Sequence, residues 1–381
     1  MKILLVGEYS RLHNTLKEAL TELGHQAHIV ASGDDFKRYP ADYSIRPVWN
    51  ESYPLLFFRK AVHKLTRYDI ARFEIALRLS KIISELKDYD TVQLINTYPF
   101  ETPLSYERRF LEQIFRQNRQ AFLLACGDDY VTNTYYLTEK MKYNILTPYK
   151  ENPYRMKTKF RYSLKYLRPE FKALHDWVMN EVRAVIPTDL DYAIPYAKHP
   201  KNAGMIPNPV NIDKITYYLP PADKEIVVFH GINSGNYWKK GNKFFSEALR
   251  AIKKKYGSRV RIVETVDLPY TQYINNLKQA HIVLDQVYSY DQGYNALESM
   301  AMGKVVFTGA EREFKTHYRL NRPVCINALP DSAYLLEQLS ILIEHPEKIK
   351  EISLNARDFI EKEHHYLKIA ERYLEIWNES L

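Results

Sequence analysis

The chain has 381 residues, with 54 Lys and Arg against 46 Asp and Glu for a formal charge of +8, a hydrophobic fraction of 45% and a charged fraction of 26%. That length predicts two domains about a shared cleft, with apolar material for two cores, and excludes both a small stapled module and an intrinsically disordered chain. Cys126 and Cys325 are the only cysteines, too few for a disulfide framework or a thiolate metal cage, and a reducing cytoplasm is the setting that fits.

The opening run Met1–Gly7 is short and is followed by charge, so it is expected to be a strand rather than a signal peptide or a membrane span. Leu12, Leu16, Leu20 and Leu23 then recur at helical spacing until Gly24 stops the helix, and His28–Ala31 forms a second strand. This is the βαβ opening of a parallel sheet. The turn after the first strand, Gly7-Glu-Tyr-Ser-Arg-Leu, lacks Gly-x-Gly-x-x-Gly, which disfavours NAD binding.

Pro54–His63 is apolar and basic, and reads either as an interfacial anchor or as an ordinary buried helix. A helix is predicted over 69–87 with Ile70, Phe73, Leu77, Ile83 and Leu86 on its core face. Thr91–Asn96 and Ala121–Cys126 are further strands. Ligands of open α/β sheets gather at strand carboxyl ends, so Asn96-Thr97-Tyr98 and Gly127-Asp128-Asp129 are cleft candidates, with a structural turn as the alternative for the latter. From Lys150 to Lys172 eight bases face only Glu151 and Glu170, a local net charge of +6 interleaved with Tyr and Phe. Such a stretch is a solvated surface with aromatic residues packing inward, or it meets an anionic membrane or lipid phosphate; nucleic acid is disfavoured because no nucleic-acid module accompanies it.

The prolines and asparagines of Val185-Ile-Pro-Thr and Met205–Asp213 mark a connection, and the domain boundary is placed there, giving domains 1–206 and 207–365. A second sheet is predicted from Glu225–His230, Val260–Glu264, Ile282–Asp285 and Val305–Thr308, each separated by a helix-length segment. A final amphipathic helix, 366–381, presents Ala370, Tyr373, Leu374 and Trp377 on one face and closes back on the first domain.

The most informative stretch is Tyr288–Gly309, which reads as polar loop, glycine, helix and strand. Gly293 lets a ligand approach the backbone, and free amides of Tyr294, Asn295 and Ala296 at a helix N-terminus make an anion site. Glu298, in the first turns of that helix, either accepts two ribose hydroxyls or merely complements the helix dipole, worth about 0.3–1 kcal/mol.

Here the chain resembles the GT-B glycosyltransferases, most closely the retaining family 4. The family's Glu-x7-Glu is matched by Tyr290-x7-Glu298, followed by Ala301-Met-Gly303-Lys304-Val-Val. The resemblance assigns the donor ribose to Glu298 and the donor phosphates to the backbone at Gly293, and replaces the sugar-touching first glutamate by Tyr290, with Asp291 one residue along. A second match is Ile206–Asp213, similar to the family's linker. A third is Val227–Phe245, similar to the family's Gly-Arg-Leu loop followed by Lys-Gly, where Gly231 stands for the loop glycine, Ile232 replaces its arginine, and Lys240-Gly241 matches the lysine that neutralises the departing diphosphate; Lys239 is a second candidate charge, or both lysines are a solvated pair.

The resemblance therefore implies two Rossmann-like domains facing a cleft and a transferase moving a sugar from a nucleotide-diphosphate sugar to an acceptor hydroxyl, with retention. The expected catalytic residues are Lys240, Tyr290 and Asp291; the donor residues Glu298, Gly293, Tyr294, Asn295, Gly231 and Lys239; the acceptor-side residues Gly127, Asp128 and Asp129. No metal or other cofactor is expected, and no His or Cys pattern suggests one. The acceptor is expected to be a lipid-linked glycan of surface polysaccharide assembly, reached from the cytoplasmic face of a membrane. A nucleotide-sugar epimerase and a non-catalytic binding partner on the same scaffold are the alternatives.

Overall fold

A computed structural model describes residues 1–34, 38–66, 68–222 and 225–379. Two parallel sheets organise it. The first has the order β3-β2-β1-β4-β5-β6, from β1 (Lys2–Val6), β2 (Gln26–Ala31), β3 (Tyr43–Ser44), β4 (Thr91–Leu94), β5 (Ala121–Ala125) and β6 (Val185–Pro187). The second has the order β11-β10-β9-β7-β8, from β7 (Ile226–Ile232), β8 (Val260–Val266), β9 (Ile282–Leu284), β10 (Val305–Thr308) and β11 (Ile326–Asn327).

All pairings are parallel, so both faces of each sheet need cover, and the strands are near-continuous apolar runs. Leu4, Val6, Val92 and Leu123 face one core of the first sheet; Ile3, Leu5, Phe122 and Leu124 face the other. Into that second core the last helix, Tyr366–Glu379, buries Tyr366, Ile369, Ala370, Tyr373 and Trp377, so the end of the chain packs on the first domain. The two terminal residues of the predicted closing helix lie outside the described residues.

Strand order reverses between β1 and β4 in one sheet and between β7 and β9 in the other. Loops diverge at such a switch point and leave a crevice above the strand ends. The loops after β1, β7 and β9 meet across the cleft between the domains: Thr15, in the helix that follows the β1 loop, hydrogen-bonds the Tyr294 hydroxyl, and Asp128 after β5 pairs with Lys239 after β7.

Three expectations are corrected. Val185–Pro187 is a strand, paired with β5, rather than part of a connection. The helix predicted over 69–87 is Ala71–Ile82, and it buries Ala71, Ile75 and Leu79, leaving Phe73 and Leu77 exposed; the apolar residues lie on two faces, and the small Ala71 and Ala76 allow the closer approach to the core. No residue of helix Leu55–Thr66 is fully buried, so the reading of that segment as an ordinary buried helix fails.

Candidate active site

The cavity in the cleft has a volume of about 300 Å³ and is lined from the first domain by Ser10 and Tyr39 and from the second by the loops after β7, β8 and β9. It brings together Gly231, Lys240, Tyr294, Asn295 and Glu298, five residues separated by up to 67 positions in the chain.

Lys240 closes the short helix Tyr237–Lys240, and Gly241 follows it with φ of 68°. A β-carbon at Gly241 would stand 2.3 Å from Val287 Cγ2, so only glycine makes this turn between two helices. The turn sends the Lys240 ammonium into the cavity, where its Nζ donates to Asp285 Oδ1 at 2.7 Å. Asp285 stands at the carboxyl end of β9, is 3% exposed, and also accepts from Thr308 Oγ1 at 3.3 Å and Asn295 Nδ2 at 3.4 Å. It fixes where the ammonium points. Nothing in the motif reading singled it out, although an acid at the end of a buried strand is a signal for such a position.

The helix Tyr294–Ala301 aims its N-terminus at the same space. The Tyr294 and Asn295 amides have no hydrogen-bond acceptor among the described residues, whereas the Ala296 amide donates to Gly293 O at 2.9 Å; the expected three free amides are therefore two. Tyr273 OH donates to Asn295 Oδ1 at 2.6 Å and holds that side chain against the helix end. Glu298 lines the cavity one turn further on, and Arg11 of the first domain, paired with Glu18 at 3.0 Å, is near enough to Glu298 and Tyr294 to interact with their charges. Thr265, Asp267, Leu268 and Pro269 form the opposite wall, and Asp267 braces the β7 loop through the Ser234 amide and hydroxyl at 2.9 and 2.6 Å. Ile232 is an apolar wall where the resembled family has arginine, which leaves Lys240 as the one lysine or arginine lining the cavity among the described residues.

The other expected residues stand elsewhere. Tyr290 and Asp291 do not line this cavity. The Tyr290 hydroxyl accepts from the Lys142 amide at 3.1 Å and its ring packs on Tyr143. Asp291 accepts from the Leu190 amide at 3.1 Å and the Gln292 amide at 2.7 Å. Asp191 in turn takes the Tyr290 amide at 2.9 Å, the Asp291 amide at 3.3 Å and the Ser289 hydroxyl. These are contacts between domains, and burial pushes all three carboxyls, Asp189, Asp191 and Asp291, above their usual range.

Gly293 is outside the cavity lining. Lys239 reaches back across the cleft to Asp128 Oδ2 at 2.8 Å; burial alone would raise the Asp128 carboxyl, and the lysine outweighs it and holds the group below its ordinary value. Asp129 caps helix Tyr130–Thr138 through Thr132 N at 2.6 Å and accepts from Tyr196 OH at 2.6 Å, so both its oxygens serve the fold. Gly127 turns beside Tyr9 with φ of 86°. Among the described residues no group of three or more His, Cys, Asp or Glu side chains is arranged to hold a metal ion.

Residues 234–375 match a protein-family model described as glycosyl transferase-like. The chain has the GT-B fold and carries a glycosyl transferase-like domain. Along its whole length it is similar to a sucrose-phosphate synthase from Thermosynechococcus elongatus (TM-score 0.60, 13% identity, 100% of this chain and 99% of that one). It is likewise similar to HepE from Anabaena in complex with UDP and glucose (TM-score 0.58, 14% identity, 99% of each chain). A UDP-GlcNAc 2-epimerase from Neisseria meningitidis, bound to UDP-GlcNAc, also shares the fold (TM-score 0.52, 13% identity, 100% of each chain). No curated protein matches.

Proposed function

We propose that this GT-B glycosyltransferase takes a nucleotide-diphosphate sugar in the cleft and moves the sugar to an acceptor hydroxyl, with retention and without a metal. One observation carries the reading: a single cavity presents a lysine, two helix-terminal amides with no acceptor among the described residues and a carboxylate, in the matched domain, at a strand-order switch point. The complex of HepE with UDP and glucose supports a donor of this class.

In the proposed reaction the bond from the anomeric carbon to the diphosphate oxygen breaks, the bond to the acceptor oxygen forms on the same face, and the acceptor proton passes to the departing phosphate. The developing charge falls on the diphosphate. Lys240, the Tyr294 and Asn295 amides and the positive end of the helix are fixed around the place where it would sit. Glu298 would hold the ribose, and the wall from Thr265 to Pro269 the base.

The acceptor is a lipid-linked glycan of surface polysaccharide assembly, taken at a membrane face. Of the basic stretch, Arg155, Lys157 and Lys159 are exposed beside Tyr154, which is 96% exposed, while Phe160, Tyr166 and Phe171 pack inward. Each base near an anionic surface contributes about 1 kcal/mol. No helix among the described residues is long and apolar enough to cross a membrane.

The test is thermal unfolding with uridine, guanosine, thymidine and cytidine diphosphates and their sugars, for wild type and Glu298→Ala. Ligand at 100 times its dissociation constant adds about 2.7 kcal/mol of apparent stability. A shift for one base that disappears in Glu298→Ala supports the reading, and release of free nucleotide only when acceptor is present separates transfer from epimerisation. No shift with any nucleotide would favour the non-catalytic scaffold, to which the apolar Ile232 wall and the turned-away Tyr290 point.

A further inference from the structure

Gly231 of β7 borders the cleft cavity, and the residue before it, His230, turns to the opposite face of the sheet and lies 0% exposed beneath helix Asn242–Tyr256. The Phe245 ring of that helix covers it edge-on, with ring centroids 5.4 Å apart. A fully buried histidine one residue from the cavity has two ring nitrogens that need partners.

Both nitrogens face oxygen atoms. Nε2 lies 2.8 Å from Asn242 Oδ1, and Nδ1 lies 3.1 Å from Glu264 Oε1. The Asn242 amide is not free to turn round, because its Nδ2 donates to Tyr237 O at 3.1 Å and a flip would set oxygen against oxygen. Nε2 must therefore donate. Glu264 stands on β8 in register with His230, is half-exposed, and also accepts from the Ser246 hydroxyl at 3.1 Å. The imidazole contact, helped by Ser246 and Arg250, outweighs desolvation and holds the Glu264 carboxyl below its ordinary value. Glu264 is a carboxylate, so Nδ1 must donate as well. A neutral imidazole has one N–H, and only the imidazolium satisfies both contacts.

Asn242 passes this constraint to the site. It is buried, it follows Gly241, and its bond to Tyr237 O reaches back to the first residue of the short helix whose last residue is Lys240. The contacts thus run from Glu264 through His230 and Asn242 to the turn that carries the lysine. Of the side chains on the elements packed against His230, Glu264 of β8 is the charged one that faces it; β9 sets Leu284 beside it, and helix Asn242–Tyr256 presents Asn242 and Phe245. The neighbouring lysines are engaged elsewhere, Lys240 with Asp285, Lys239 with Asp128 and Lys243 with Glu247 at 3.7 Å. Glu264 neutralises the imidazolium, so the effect of His230 on the site is one of position. Loss of its second proton sets a bare nitrogen lone pair against one of the two oxygens and breaks that contact.

We propose that His230 is a positioning residue of the donor site: as the imidazolium it holds Asn242, and through Asn242 the turn from Tyr237 to Gly241, in the arrangement that aims Lys240 into the cavity, so that donor affinity follows the protonation of a histidine that does not touch the donor. The proposal rests on the transferase reading and adds to it a pH dependence with a named origin. The protonated form prevails on the acid side, so binding is tight there and weakens as pH rises through the range in which an imidazole loses its proton.

The experiment is calorimetric titration with UDP-glucose, or with its guanosine, thymidine or cytidine counterpart if that is the one that stabilises wild type, from pH about 5.5 to about 8.5, the interval in which histidine changes charge. The diphosphate of such a sugar is esterified at both ends and does not titrate there. The carboxyls of Glu8 and Asp291, each raised to about 7, do titrate there, and the variants separate them from His230. The proteins are wild type, Glu264→Gln and His230→Gln. Wild type is expected to lose at least about threefold in affinity across the interval, and no more than about tenfold per pH unit. Glu264→Gln, at a half-exposed position, is expected to keep the acid-side affinity and to show the fall about one pH unit lower, because the carboxylate that favours the second proton is gone. His230→Gln is expected to bind more weakly on the acid side and to lose the fall. If His230→Gln does not fold, the displacement in Glu264→Gln decides alone. A wild-type affinity that does not change with pH, or a Glu264→Gln profile that coincides with that of wild type, overturns the proposal and leaves the donor reading intact. Failure of wild type to bind any of the diphosphate sugars would instead remove the transferase reading on which the proposal stands.

Discussion

The Lys240–Asp285 pair shows how one buried acid can set the position of a charge without touching a ligand. Asp285 holds the ammonium at 2.7 Å and is itself anchored by Thr308 and Asn295. If the ammonium stabilises the leaving diphosphate, Lys240→Ala should lower kcat by about a hundredfold, the cost of one fixed donor. Asp285→Asn keeps the charge but frees its direction, and is expected to cost about tenfold with little change in donor KM. Steady-state kinetics of both variants checks this; an Asp285→Asn enzyme as active as wild type would remove Asp285 from any positioning role. Glu8 gives a different residue-scale prediction. Burial raises its carboxyl from 4.5 to about 7, against the opposing hydrogen bonds from Asn14. A carboxyl with a raised folded pKa contributes its full stability below about 4.5 and loses it as pH rises through about 7. Glu8→Gln should therefore raise the urea midpoint at pH 8, by about 3 kcal/mol in stability, and leave it unchanged near pH 4.5. Of the residues singled out in the sequence, Gly231, Lys240, Tyr294, Asn295 and Glu298 line the one cavity, Gly231 from the end of a strand and the others from a local turn or a helix end. Tyr290 and Asp291 were not legible, because Asp191, about a hundred positions away, fixes their loop, and Gly309 lets that loop lie close enough for a β-carbon to stand 2.5 Å from Asp291 O.

At the scale of elements, the strands were read well wherever burial is complete. Val305–Thr308 was predicted to the residue, and the runs at 91, 121, 226, 260 and 282 were each placed to within two residues at their ends. The two-residue strands β3 and β11 carry too short a pattern to show a period, and both lie at sheet edges. Helix Ala71–Ile82 misled because it carries apolar residues on two faces: Phe73 and Leu77 point outward, while Ala71, Ile75, Ala76 and Leu79 face the core. The turn between helices Tyr237–Lys240 and Asn242–Tyr256 makes the element-scale prediction. Gly241→Ala places a β-carbon in a left-handed conformation and against Val287, so it combines backbone strain with overpacking. A loss of about 2–4 kcal/mol is expected in denaturant titration, accompanied by loss of nucleotide binding as Lys240 is displaced. Unchanged stability would mean that the chain turns there by another route.

For the whole molecule, the two-domain layout and the return of the last helix were legible because each domain has its own run of buried strands, and the last helix has one continuous apolar face. The contacts that set the domains against each other were not, since every one joins residues far apart: Thr15 to Tyr294, Tyr143 to Glu311, Asp128 to Lys239. The last is the one whose loss the closed form should feel most. Its two side chains are 6% and 19% exposed, and removing one partner of a buried pair costs about 3–5 kcal/mol when the other charge stays buried. Asp128 has an escape, because the pair spans a cleft and opening the cleft returns the carboxylate to water. Lys239→Ala should therefore lose less stability than that figure and pay instead in shape, with the domains apart in solution. Small-angle scattering is expected to show a larger radius of gyration for Lys239→Ala than for wild type, and if nucleotide takes the proposed place between the β7 loop and the helix Tyr294–Ala301, a saturating concentration should restore the compact form. The donor KM should rise with little change in kcat, since binding must then supply the closure that Lys239 provided. Identical scattering curves for the two proteins would show that the pair is only one contact among many in a cleft closed by the Tyr143 and Tyr294 bridges.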